Sequence, residues 1–330
     1  MNKIFITGIC GFVGSNLAHF FWKKKYQVFG ADNLYRKGSH KNFLKLKEKG
    51  IKVFKGDLVD NKFLFKILKS KISFKSFIHC AAYTSVLDGT NKITAKELYE
   101  NNILSTLNSL ELSSHFKSNF IYLSSSRVYS IDALKKINPK IKSIKENFSI
   151  QPPLSIYGSS KIICENMIQE FCNMKKIPFI INRCGLLAGH GQLYKNDQGI
   201  ISFWINSWKK NKKLSYIGFD GKGNQTRDCL HPNDLGNLIM LQIKKIKKLN
   251  SNNKVFNVSG GPASAFTLKE LSKWCSNNIH FGTVKSAKKY RIFDLKWIVL
   301  NNEKAVNQFN WKLQFTKEKI FKDILKKNDQ

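Results

Sequence analysis

Lys3-Ile4-Phe5-Ile6-Thr7-Gly8-Ile9-Cys10-Gly11-Phe12-Val13-Gly14 decides the fold. A short apolar run, KIFIT (3–7), feeds a glycine-rich turn, and an apolar-periodic stretch from Phe12 to Trp22 follows. Strand, glycine turn and helix in that order form the first crossover unit of a parallel sheet. Gly8, Gly11 and Gly14 permit a tight turn, close approach of a pyrophosphate and close helix–strand packing. The helix start, with Phe12 and Val13, offers free N–H groups to phosphate. Gln27 to Ala31 is a second buried-strand candidate and ends at Asp32. A carboxylate there accepts hydrogen bonds from an adenosine ribose and repels a 2′-phosphate, favouring NAD over NADP.

The same rhythm continues outward. A helix near 40–49 precedes IKVFKGD (51–57), and FLFKILKS precedes SFIHCAA (76–82). Residues 94–115 read as a long helix before SNFIYLSSS (118–126), and a helix at 157–174 precedes IPFIINRCG (177–185). Short apolar strands alternating with helices predict an α/β protein: a Rossmann-type doubly wound parallel sheet covered on both faces. Residues 1–184 are the expected dinucleotide domain. After about residue 185 the pattern breaks into Gly- and Asn-rich loops, which predicts a smaller C-terminal substrate-binding domain over 185–330, with a return to the sheet near 228–258.

The chain has 330 residues and a formal net charge of +34, with 56 Lys and Arg against 22 Asp and Glu. Only five of the 56 are Arg: residues 36, 127, 183, 227 and 291. So basic a balance first suggests nucleic acid. However, the lysines are spread along the chain, and the bidentate fork that reads phosphates and bases is scarce. Nucleic acid is therefore not an expected partner, although the charge can steer anionic small molecules inward. Seven cysteines without paired spacing imply free thiols in a reducing compartment, and the scattered histidines give no metal spacing. No run of about 18 apolar residues implies a membrane span. Glycines interrupt the apolar N-terminus, and no small-residue cleavage site follows it. A cytoplasmic enzyme is expected.

Tyr157-Gly158-Ser159-Ser160-Lys161 places a phenol and an ammonium four apart on one helical face. A nearby ammonium favours the phenolate, so such a Tyr can remove a hydroxyl proton while hydride leaves the same carbon. Ser124-Ser125-Ser126 closes the fifth strand candidate, at the sheet end where open α/β folds bind ligands. Serines there can also serve a turn or helix cap.

Taken together these residues resemble the extended short-chain dehydrogenases that act on nucleotide sugars, over nearly the whole chain. The resemblance implies Ser125, Tyr157 and Lys161 as catalytic residues, with Tyr157 and Lys161 also touching NAD. It places Asp57 and Leu58 at the adenine, Ala81 and Ala82 beside the cofactor, and Asn102 near it. Arg227 in TRDCLHPND would grip the substrate diphosphate. Within that family the chain is similar to the CDP-paratose (CDP-tyvelose) 2-epimerases. Asp32-Asn33-Leu34 with Arg36-Lys37-Gly38, Gly191-Gln192-Leu193 with Asp197-Gln198-Gly199, residues 215–231, and Arg291 with Asp294 and Trp297 carry this likeness. It adds Asn33 and Arg36 to the cofactor set. It adds Gln192, Asp197, Gln198, Arg291 and Asp294 to the substrate set. Arg183 reads either as a substrate ligand or as an internal structural cation. The implied reaction is epimerisation at C2 of a nucleotide-diphosphate sugar through a 2-keto intermediate, by a homodimer paired through the helices at 94–115 and 157–174. A UDP-sugar 4-epimerase is the nearest alternative. A non-catalytic nucleotide- or RNA-binding relative is a second. A 4,6-dehydratase fits less well, because that branch follows its Thr with Asp-Glu, whereas Ser126-Arg127 follow Ser125 here.

Overall fold

A computed structural model describes residues 2–70, 72–87, 93–138, 140–192, 198–250, 254–287 and 292–326. Its first strand, β1 (Lys3–Thr7), leads through the glycine turn into helix α1 (Phe12–Lys23). Strands β2 (Gln27–Asp32), β3 (Lys52–Lys55), β4 (Ser76–His79), β5 (Asn119–Ser125) and β6 (Phe179–Cys184) follow. Every residue of β4 and β6 is buried, as expected of central strands roofed on both faces. A seventh strand, Val255–Val258, returns from the second half of the chain to pair with β6. The spatial order is Val255–Val258, β6, β5, β4, β1, β2, β3, and all neighbours run parallel. This is the doubly wound sheet the sequence predicts.

Period-2 alternation divides its two faces. Ile4 and Ile6 point to one core, where α1 contributes Leu17, Ala18 and Phe21 and the helix Pro232–Lys245 contributes Leu235, Leu238 and Ile239. Phe5, Phe77, Phe120 and Tyr122 point to the other, against Ile168 and Cys172 of the helix Ile156–Met174. The strand order reverses at β1, which has β2 on one side and β4 on the other. Chains leave the sheet in opposite directions there, opening a crevice above the carboxyl ends of the strands.

The second half contains more regular structure than its loops suggest. Leu186–Leu187, Thr226–Leu230, Ala265–Thr267 and Trp297–Ile298 form a small mixed sheet, and Ser215–Ile217 pairs with Lys285–Ala287. Trp204, Trp208, Phe266 and Phe321 fill its core. Strands of two to five residues carry too little alternation to be read from sequence. The expected long helix is also divided. Ala95–Tyr99 passes into a five-residue π segment, Glu100–Leu104, before Ser105–His115. Such π bulges often mark functional sites, and this one carries Asn102.

Candidate active site

The glycine turn forms one wall of the crevice. Gly8 has φ +64, and a Cβ on it would sit 2.9 Å from the Ala81 backbone. A Cβ on Gly14 would lie 2.1 Å from the Gly8 carbonyl oxygen. Both neighbours are backbone, so neither can yield. α1 begins at Gly11 with no side-chain cap and no acidic residue in its first turn. The Phe12, Val13 and Gly14 N–H groups have no partner among the described residues. Uncapped donors at a positive helix end, approached closely by backbone alone, fit a pyrophosphate. Gly14→Ala is expected to abolish dinucleotide binding and lower Tm by several degrees, from a clash of about 1–3 kcal/mol. Unchanged NAD affinity at an unchanged Tm would exclude this packing.

Asp32 stands beside the turn. Its Oδ2 accepts from the Cys10 N–H and its Oδ1 from the Leu34 N–H, both at 2.8 Å. Burial raises its carboxyl above the usual range, and those same N–H bonds oppose the rise. Asn33 donates to Asp57 Oδ2 at 2.8 Å, tying the ends of β2 and β3 together. Gly8, Gly11, Phe12, Val13, Gly14, Asp32, Asn33, Arg36, Asp57, Leu58, Ala81 and Ala82 all line the crevice.

At its other end lie Ser125, Tyr157 and Lys161. Ser125 ends β5, and its hydroxyl accepts from the Arg127 N–H at 3.2 Å in the tight turn Ser126–Val128. Ser124 donates instead to Glu165, leaving Ser125 as the serine between that bond and the turn. Ser155 caps the helix Ile156–Met174 and so sets Tyr157 in its first turn. Gly158 lets this helix press on the preceding turn, since a Cβ would lie 2.2 Å from the Arg127 carbonyl. Lys161 is 3% exposed; its Nζ donates to the Leu123 carbonyl at 3.0 Å and lies 5.9 Å from the centre of the Tyr157 ring.

Behind this wall runs a buried polar chain that the sequence reading missed. The Thr106 hydroxyl donates to the Asn102 carbonyl at 2.7 Å, so its lone pairs face His79 Nε2 at 3.1 Å. His79 therefore carries its proton on Nε2, and Nδ1 accepts from Thr7 at 2.8 Å. Burial, with Lys161 nearby, depresses the imidazole to about 3. An unfolded His titrates near 6.5. The neutral ring thus contributes stability at high pH that is lost as pH falls from about 6.5 towards 3. In His79→Leu, urea unfolding should depend less on pH over that window than in the parent. An identical pH slope would show that His79 takes up its second proton in the folded protein as readily as in the unfolded chain.

One open reading is decided by geometry, and two expected residues fall off the crevice lining. Arg183 is a structural cation and does not line the crevice. Its Nε and Nη2 clamp Glu165 at 2.7–3.1 Å, and Nη1 donates to the Glu146 carbonyl at 3.0 Å. Asn102 stands behind the wall, off the crevice lining, with its amide bonded to Tyr83 and to Ser160 on Tyr157's helix. Asp294 faces Arg227 at 3.4 Å and lies off the crevice lining. Gln192 and Gln198 do line it. Gln192 is held by the Leu187 carbonyl and Ser202, while Gln198 joins Arg36 and Thr84 across the mouth. Asp197 and Arg291 lie outside the described residues.

A family model described as the NAD dependent epimerase/dehydratase family matches residues 4–259. A dTDP-D-glucose 4,6-dehydratase of Dictyostelium discoideum is 33% identical over 253 residues, covering 74% of this chain and 56% of that relative, so the match spans little more than half its length. The CDP-paratose 2-epimerase of Salmonella typhi is 26% identical over 94% of both chains. A putative UDP-glucose 4-epimerase of Methanocaldococcus jannaschii is 30% identical over 94% of this chain and 92% of its own. Among solved structures, a Thermus thermophilus UDP-glucose 4-epimerase in complex with NAD superposes with a TM-score of 0.83 over 98% of this chain and 97% of its own, at 20% identity.

Proposed function

The chain belongs to the NAD dependent epimerase/dehydratase family, and from that premise we propose that it is a nucleotide-sugar epimerase inverting C2 of a CDP-linked sugar. The observation that carries epimerase over dehydratase is the pair that follows Ser125. Elimination of water needs a carboxyl to protonate the leaving hydroxyl and a carboxylate to take a carbon-bound proton. Ser126 and Arg127 occupy the crevice wall there. A guanidinium accepts no proton. The CDP-sugar assignment draws on the crevice placement of Gln192 and Gln198, on the residues 215–231, and on full-length similarity to a CDP-paratose 2-epimerase.

NAD, held along the glycine turn, supplies a reversible hydride acceptor. The protein does the rest. Tyr157 removes the proton from the sugar hydroxyl, and the Lys161 ammonium offsets the negative charge the phenol oxygen acquires. Ser125 hydrogen-bonds the reacting oxygen as it becomes a carbonyl. Arg227, its guanidinium pushed down to about 10 by burial and by Arg127 but still cationic, holds the diphosphate while the keto sugar turns over. Once the carbonyl carbon has regained its hydrogen on the opposite face, Tyr157 returns the proton to the sugar oxygen and closes the cycle.

The proposed setting is the cytoplasm, where all seven thiols, free in this structure, stay reduced. The proposed assembly is a homodimer, supported by Leu104 and Ile163, which are 42% and 40% exposed on the two helix segments expected to pair. Proton NMR of purified protein with CDP-paratose and, separately, UDP-glucose, without added cofactor, tests the assignment. Inversion at C2 of the CDP-sugar is the expected result. Inversion at C4 alone would place the chain among 4-epimerases, and a deoxy-keto product would make it a dehydratase.

A further inference from the structure

Arg127 is the one arginine that no sequence motif explained, and its surroundings differ from those of Arg183. Arg183 has a carboxylate, a carbonyl and a phenol around it. Arg127, half-buried on the crevice wall, donates Nη1 to the Phe293 carbonyl at 3.1 Å; its remaining side-chain N–H groups have no partner among the described residues. Arg227 is anchored on the same short segment. Its Nη2 donates to the Leu295 carbonyl at 2.7 Å and faces Asp294 at 3.4 Å. Residues 293–295 therefore hold two guanidiniums side by side, both lining the crevice. Asp294 is the carboxylate between them. Asp228, nearby, is committed to the Gly261 and Leu300 N–H groups. Asp294 and Asp228 oppose the two cations, yet each also accepts backbone N–H bonds, and Arg127 still lowers the tendency of Arg227 to hold its proton. Such an arrangement is costly alone and favourable around a dianion. Forked donors match phosphate oxygens in pairs. Arg127 also sits two residues after Ser125, with its own N–H on that hydroxyl, which sets it at the sugar end of the crevice.

We propose that Arg127 is a second phosphate ligand: with Arg227 it forms a two-guanidinium site for the substrate phosphate nearest the sugar. The inference rests on the nucleotide-sugar reading above. It gives the keto sugar a fixed pivot close to Ser125, so the ring can rotate about its phosphate link without losing register.

Calorimetric titration of the NAD-loaded protein with CDP, UDP and CMP tests this, using the parent, Arg127→Met and Arg127→Lys. Arg127→Met should bind CDP and UDP roughly 10–100-fold more weakly, the loss expected of charge-assisted bonds. It should leave CMP, which lacks the second phosphate, nearly unchanged. Arg127→Lys should recover part of the loss, and KM for the sugar nucleotide should rise more than kcat falls. NAD content and Tm close to the parent's would separate this from a structural role. Equal CDP affinity in Arg127→Met overturns the proposal, as does a loss seen with CMP to the same degree. A parent protein that binds neither CDP nor UDP overturns the nucleotide-sugar reading itself, which is a different result.

Discussion

Tyr157→Phe should lose epimerisation by roughly 10²–10⁴-fold while NAD remains bound, because only the acid–base oxygen is removed. The ring is 7% exposed and packed at the start of the helix Ile156–Met174, so Phe fills the same space and the fold is spared. Lys161 keeps its bond to the Leu123 carbonyl, and the glycine turn is untouched. The loss should therefore appear in kcat with little change in KM. Cofactor content in the purified variant, measured beside turnover, checks both halves of the expectation. Near-parental turnover would show that another group moves the proton.

Glu165→Ala should destabilise the protein by about 3–5 kcal/mol, the usual consequence of leaving a buried charge without its partner. Arg183 and Glu165 have side-chain exposures of 7% and 2%, and the guanidinium is raised above its ordinary range because the Glu165 carboxylate and the Tyr129 hydroxyl outweigh burial. Chemical denaturation should show a large fall in midpoint, and the double variant Glu165→Leu with Arg183→Met should recover much of it. A substrate-binding Arg183 would behave otherwise: Arg183→Met would leave stability intact and raise KM.

The legible part of this protein is the part written in local patterns. KIFIT, the three glycines and Asp32 lie within one crossover unit, so period and spacing read out both the strand and the ligand end of the helix. The four-residue step from Tyr157 to Lys161 is likewise local. Arg183 remained ambiguous because Glu165, whose carboxylate settles it, is on a helix packed from another layer. His79 gave no pattern of its own. Its partners Thr7 and Thr106 are separated from it by 72 and 27 positions. Arg127 gives no local pattern for a similar reason: its anchor, Phe293, is 166 positions away. The break after Cys184 concealed a small mixed sheet, whose strands pair segments far apart in sequence.

Deuterium placed at the inverting carbon of the sugar nucleotide follows the central claim most closely. If Tyr157 moves only the hydroxyl proton and the carbon-bound hydrogen travels as hydride within the crevice, the inverted product keeps its deuterium in ordinary water. Washout of that label into solvent as the configuration changes would mean that a carbon acid is deprotonated, and the account built on Tyr157, Lys161 and Ser125 would be wrong.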